Sequence, residues 1–86
     1  MKNRLFDVNF PCDQRELESI FSSVSPANSH FLGTVRRFLA LREYAPAGQI
    51  FERLADTEPV QRSSFMMLAG FCHFMADDFV RAIRFL

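Results

Sequence analysis

The stretch that decides the fold of this chain is residues 65–76, FMMLAGFCHFMA, in which His73 is the one polar side chain among twelve. A helix that buries a single side against its own domain combines an apolar stripe with a polar back. This stretch lacks the polar back, so a helix here needs cover on two sides. An 86-residue chain has little material to spare for a second cover. We therefore expect part of the cover to come from another protein.

A membrane role for the same stretch fails on length. A spanning helix needs about 20 apolar residues, whereas two serines precede this stretch and Asp77 and Asp78 close it. The N-terminus begins with Lys2 and Arg4, but acidic residues interrupt the next dozen positions, so no secretory signal is visible. We expect a cytoplasmic protein without membrane insertion.

The composition favours a small domain that associates with other proteins. A chain of 86 residues makes one domain and buries only about 60–65% of its unfolded surface. Yet 49% of it is hydrophobic, eleven residues are Phe, and the formal net charge is zero. Zero net charge gives little protection against association and argues against nucleic acid, which requires a basic surface. A hetero-oligomer is the expected state.

The cysteines and histidines give no sign of catalysis or metal binding. Cys12 and Cys72 are far apart, and His30 and His73 are scattered, so no zinc-ligand spacing exists. Cys72 and His73 are neighbours in sequence and point about 100° apart on a helix, which prevents a catalytic dyad. No Gly-rich phosphate loop is present. The sequence predicts two reduced thiols, no enzyme activity, no metal and no cofactor.

The periodicity of apolar residues divides the chain into a short arm and one helical domain. In residues 1–11 the side chains of Phe6, Val8 and Phe10 alternate, which predicts an extended arm ended by Pro11. Residues 12–86 show helical spacing throughout. Helices are predicted over about 13–24 and 29–41, from Tyr44, from Pro59 and from Phe79. The predicted inward residues are Leu17, Ile20, Phe21, Val24, Phe31, Val35, Phe38, Leu41, Ala47, Ile50, Phe51 and Leu54. The predicted fold is all-α, with about five helices in antiparallel hairpins.

A repeat is visible within this pattern. Residues 44–51, YAPAGQIF, and residues 79–86, FVRAIRFL, both place an aromatic residue, then Ala three positions later, then a large apolar residue four further on, at a spacing of 35. This resembles the tetratricopeptide repeat, a 34-residue helix–turn–helix. The positions that match that repeat are Phe31, Phe38, Tyr44, Ala47, Phe51, Leu54 and Pro59 in the first copy and Met66, Gly70, Phe79, Ala82 and Leu86 in the second.

The resemblance covers residues 29–86 and has departures. Val35 stands where the repeat has Gly, Thr34 where Leu is usual, and His73 where an aromatic residue is usual. A generic pair of helical hairpins is the alternative. The first helix fits the second helix of an earlier repeat, since Leu17 lies 34 residues before Phe51.

The resemblance implies a concave groove lined by the first helix of each pair. Within the opening stretch, Met67, Phe71 and Phe74 are spaced four and three apart and form an outward stripe. Met66, Ala69, Gly70 and His73 are expected to pack inward, against the partner helix of the pair. The partner-binding residues that the resemblance implies are Leu32, Arg36, Leu39, Met67, Phe71, Phe74 and Met75. An apolar groove of this kind suits an amphipathic helix.

Among tetratricopeptide-like proteins, the chain is similar to the needle-subunit chaperones of bacterial type III secretion systems. That resemblance implies a cytoplasmic heterocomplex in which the groove holds an amphipathic helix of the needle subunit and prevents premature polymerisation. It also implies a second partner, a small helical co-chaperone. The alternative is a scaffold subunit of a stable complex with no chaperone role.

Overall fold

The fold is all-α. A computed structural model describes residues 12–85, apart from the side chains of Phe79, Arg84 and Phe85. The five α-helices of this part of the chain are α1 (Gln14–Ser22), α2 (His30–Ala40), α3 (Tyr44–Thr57), α4 (Arg62–Met75) and α5 (Phe79–Phe85). No strand occurs between residues 12 and 85. The predicted arm at 1–11 and the repeat position Leu86 lie outside the described residues.

Local sequence explains where the helices begin. The Asp13 side chain accepts a hydrogen bond from the Glu16 backbone N–H at 2.8 Å, and the Glu16 carboxylate accepts one from the Asp13 N–H at 3.1 Å. This capping box fixes the start of α1, where acidic residues also suit the positive end of the helix. Pro59 begins a 3₁₀ turn, Pro59–Gln61, and α4 follows at Arg62, so the fourth helix starts slightly later than the sequence predicts.

Helix α3 is central in the packing. It forms its most extensive contact with α4, packs against α2 on another side, and α5 in turn packs against α4. The rings of Phe21, Phe51 and Phe65 make a continuous series from α1 through α3 to α4, with centroid separations of 6.4 and 6.2 Å. The pairs α2–α3, α3–α4 and α4–α5 therefore pack as helical hairpins around one apolar core, as the sequence predicts.

The buried face of α2 differs from the predicted one. Val35 and Leu39, four residues apart, are fully buried, whereas Leu41 is 61% exposed and Phe31 and Phe38 are half-buried. The reason is that α2 ends at Ala40 and the chain reverses at Arg42, which leaves Leu41 in the turn. The inward face is thus rotated towards Leu39.

The spacing of 35 recurs in the backbone. After α2, the Glu43 N–H donates to the Phe38 carbonyl at 2.8 Å, and after α4 the Asp78 N–H donates to the His73 carbonyl at 2.8 Å. The alanines further along, Ala47 and Ala82, are 0% and 3% exposed. Both alanines are thus buried, at the positions where the repeat resemblance expects a small residue.

Candidate partner-binding surface

Helix α4 has two apolar sides of different character. Its inner side chains are fully buried in the core; they are Phe65, Leu68, Ala69 and Cys72. On the opposite side Met67 and Phe74 are 37% and 51% exposed. Seven residues separate these two, so they share one face of the helix. Met67 and Phe74 are the two ends of the outward stripe that the sequence predicts, and both lie on this exposed face.

The middle of that stripe is partly committed to the fold. The ring of Phe71 is half-buried and meets the ring of Tyr44 edge-on, with centroids 6.0 Å apart and planes at 89°. Met75 is also half-buried and packs against the core. Phe71 and Met75 therefore contribute to stability as well as to the surface, while Met67 and Phe74 offer the accessible area.

Helix α1 lies between α2 and α4, on the face that the repeat resemblance assigns to the groove. The Arg36 guanidinium of α2 donates through Nε and Nη2 to the two carboxylate oxygens of Glu18 and lies 4.9 Å from the centre of the Phe21 ring. On the other flank, α1 and α4 border a cleft of about 450 Å³ that includes Ile20 and Met67. Part of the expected groove is thus filled by the chain's own first helix.

Two further groove positions on α2 are less accessible than the sequence predicts. Leu39 is 0% exposed and belongs to the core, so it does not line an open groove; the prediction for this residue is wrong. Leu32 is half-buried and packs against the same core. The cause is the rotated inward face of α2, which turns Leu39 away from solvent.

Helix α5 carries an exposed apolar face that the sequence reasoning missed. Val80 and Ile83 are 75% and 78% exposed. The repeat offered a signal for this face: at the spacing of 35, Ile83 is equivalent to Gly48, so a large apolar residue stands where the first copy has a glycine. Gly48 is buried beneath the His73 ring of α4. In the first copy this position is covered by α4, whereas in the second copy Ile83 is exposed.

His73, the polar side chain of residues 65–76, is paired. His73 is 1% exposed, and its Nε2 lies within hydrogen-bond distance of the Glu52 carboxylate on α3. The guanidinium of Arg81 on α5 lies 3.9 Å from the same Glu52 carboxylate. It also lies 3.7 Å from the carboxylate of Asp78. The sequence predicts an inward His73, and the structure supplies the acid that accompanies it, 21 residues away.

The thiols are held in their protonated form. Burial, with the nearby carboxylates of Glu16 and Asp13, raises the pKa of Cys12 to about 11. Burial raises the pKa of Cys72 to about 12. Because the thiolate is the nucleophile, neither cysteine is activated for chemistry. Among residues 12–85, no group of three or more His, Cys, Asp or Glu is placed to hold a metal ion.

Comparison with family models, with curated proteins and with solved structures finds no match to this chain. Within the part of the chain that is described, no helix combines the length and the apolar character that crossing a bilayer requires.

Proposed function

We propose that this protein is a cytoplasmic chaperone or adaptor that binds an amphipathic helix of a protein partner. The observation that carries the proposal is the accessible apolar face of α4, where Met67 and Phe74 project two turns apart. Met and Phe side chains adapt to varied apolar shapes and are common in helix-binding surfaces. No catalytic role is part of the proposal.

The specific role that we propose is that of a needle-subunit chaperone in type III secretion. Its support is the resemblance set out above: the chain is short and neutral, and its two helical hairpins repeat at a spacing of 35. In that role the α4 face covers the client helix that otherwise polymerises. The exposed face of α5, with Val80 and Ile83, is a second apolar surface and suits the small helical co-chaperone.

A scaffold subunit of a stable complex is the second candidate function. The same exposed faces favour it, because a permanent complex also buries apolar helix surfaces. The two functions differ in the fate of the partner. A chaperone's client aggregates or is degraded without it, whereas the partner of a scaffold stays folded and only loses its position.

The test is co-expression of the full chain with a candidate needle subunit, followed by size-exclusion chromatography with mass measurement. Phe74→Glu and Met67→Glu, at accessible positions, should abolish the complex and leave the helical circular dichroism unchanged. Val60→Glu is the matched control, because Val60 is 83% exposed in the turn before α4. Retention of the client by both α4 variants would contradict the proposed surface.

Omitting the chain decides between the two functions. A needle subunit that polymerises or precipitates without the chain supports the chaperone role. A subunit that remains soluble and monomeric without it favours the scaffold.

A further inference from the structure

We propose that α1 is an exchangeable occupant of the helix site between α2 and α4, and that the partner helix replaces it there by presenting the same pattern. That pattern is a large apolar residue, an acid directly after it, and a second large apolar residue three positions further, as in Leu17, Glu18 and Phe21. The inference rests on the proposed function and specifies the chemistry of its partner.

The site recognises this pattern by charge as well as by shape. Leu17 and Phe21 are 0% and 2% exposed and supply the apolar anchors of α1. Arg36 holds both oxygens of the Glu18 carboxylate and covers the Phe21 ring. A planar guanidinium that binds a carboxylate with two hydrogen bonds is selective for an acid in that position. A partner helix with a basic residue there leaves Arg36 facing a like charge.

Several features make α1 the part of the fold that is easiest to release. It has nine residues, and helices that short are marginal without packing partners. Its backbone makes no extensive contact with any other helix, unlike the backbones of α3 and α4. It is held instead by its side chains, which a similar helix can replace.

The chain also contains a fixed point directly after α1. The Glu58 carboxylate at the end of α3 accepts hydrogen bonds from the Ser25 N–H at 3.1 Å and the Ser25 hydroxyl at 2.7 Å. Residues 23–24 therefore connect a short helix to an anchored loop. Movement at these two residues releases α1 and uncovers the Phe51 ring until a partner helix covers it. The contacts of α3 with α2 and α4, and of α4 with α5, do not involve α1 and remain.

Because the partner helix must displace α1, α1 sets the minimum affinity that a partner helix needs. A tethered helix competes at an effective concentration on the order of millimolar. A partner helix with the same contacts alone therefore binds weakly, and one that also uses Met67 and Phe74 binds more tightly. Weak or incorrect helices are rejected because α1 keeps its place.

The probe is a fluorescein-labelled peptide of residues 13–24, blocked at both ends and titrated with the full chain by anisotropy. In the chain, Glu18→Arg places a like charge against Arg36 and weakens α1 in its site, while the site itself is unchanged. We expect this variant to bind the peptide about three- to fivefold more tightly than the unaltered chain does. Ser22→Arg, on the exposed side of α1, is the control and should bind like the unaltered chain.

A charge exchange tests the selectivity. The peptide carrying Glu18→Arg should bind the Glu18→Arg chain about three- to fivefold more weakly than the unaltered peptide does. It should bind a chain carrying both Glu18→Arg and Arg36→Glu less tightly than a chain carrying Arg36→Glu alone, because α1 is again paired in the double variant. Equal affinity of the unaltered and Glu18→Arg chains for the unaltered peptide overturns the inference, as does indifference to the charge exchange.

Failure of this inference is separable from failure of the proposed function. If the needle subunit is captured with equal affinity by the unaltered and Glu18→Arg chains, exchange of α1 is wrong while the chaperone role stands. If the peptide results hold and no needle subunit is captured, the helix site stands and the chaperone role is wrong.

Discussion

Arg42 and Asp77, 35 residues apart, both adopt the left-handed backbone conformation, with φ of 59° and 64°. Each lies at the same place in its turn: the Arg42 N–H donates to Leu39 and the Asp77 N–H donates to Phe74. The next residue in each turn, Glu43 or Asp78, donates to the carbonyl five positions earlier, and the two bonds together form Schellman-type ends for α2 and α4. The two turns therefore have the same backbone geometry at the spacing of 35 that the sequence shows.

Glycine at either turn position should stabilise the protein. Residues with a Cβ are strained in the left-handed region, and helices that end this way usually have Gly there. We expect Arg42→Gly and Asp77→Gly each to raise the free energy of unfolding by about 0.5–1 kcal/mol in urea denaturation. Ala40→Gly, in the last turn of α2 with ordinary helical geometry, is the control and should lower it. A loss of stability in both turn variants would contradict this account.

The two glycines at 33 and 48 should respond to alanine in opposite directions. A Cβ on Gly48 would lie 2.8 Å from His73 Cε1 and 3.2 Å from Cys72 Cβ, whereas a Cβ on Gly33 meets nothing within 4 Å. His73 is buried and held by Glu52, so it has little room to move. We expect Gly48→Ala to cost about 1–3 kcal/mol by overpacking and Gly33→Ala to gain about 0.5–1 kcal/mol from helix propensity.

A double variant identifies the cause of the Gly48 effect. His73→Ala removes the ring that the new Cβ would meet, so Gly48→Ala should cost much less in that background than in the unaltered chain. Thermal or urea unfolding of the four proteins gives the coupling. An unchanged cost would show that the His73 ring is not what constrains position 48.

The sequence predicts the helices well because their signals are local. Apolar spacing within one helix, Asp13 at a helix start and proline at a turn each act over a few residues, and the helix bounds follow them closely. The buried face of α2 was less predictable. Its apolar residues allow two overlapping stripes, and the turn at Arg42 selects the one that contains Leu39.

The contacts that shape the candidate surface join distant parts of the chain. Glu18 meets Arg36 across 18 residues, and His73 meets Glu52 across 21. Glu18, Arg36 and Glu52 are also compatible with a solvated helix face, so no pattern in one segment reveals the partner of Arg36 or of His73. For the same reason the position of α1 over the expected groove is visible only in the packed structure.

The two native thiols should be slow to react. With the pKa of Cys12 at about 11 and that of Cys72 at about 12, both are protonated at about pH 8, and Cys72 is also fully buried. We expect iodoacetamide to label Cys12 slowly and Cys72 only after denaturation in guanidinium. A cysteine introduced by Ser22→Cys, on the exposed side of α1, should label at the rate of a model peptide. Rapid native labelling of Cys72 would contradict its burial, and mass spectrometry of the digested protein distinguishes the sites.

The loop that anchors α1 should weaken in acid because of Glu58. This residue is 7% exposed, and the hydrogen bonds from the Asn28 side chain and then from Ser25 lower its pKa. A folded pKa below the unfolded value means that the carboxylate stabilises the fold fully above the unfolded value of about 4.3. That contribution is lost as the pH falls through the folded pKa.

We therefore expect Glu58→Gln to be less stable than the unaltered chain at about pH 7, with the difference shrinking as the pH falls below about 4. Urea midpoints measured from about pH 3 to pH 7 report this difference. Glu43→Gln is the control, since Glu43 is exposed and caps α3 without a side-chain hydrogen bond. Asn28→Ala removes the hydrogen bond that lowers the pKa of Glu58 most, so it should raise that pKa. The loss of stability in acid should then begin at a higher pH. A gap between Glu58→Gln and the unaltered chain that stays constant across this pH range would show that the charge of Glu58 does not stabilise the loop.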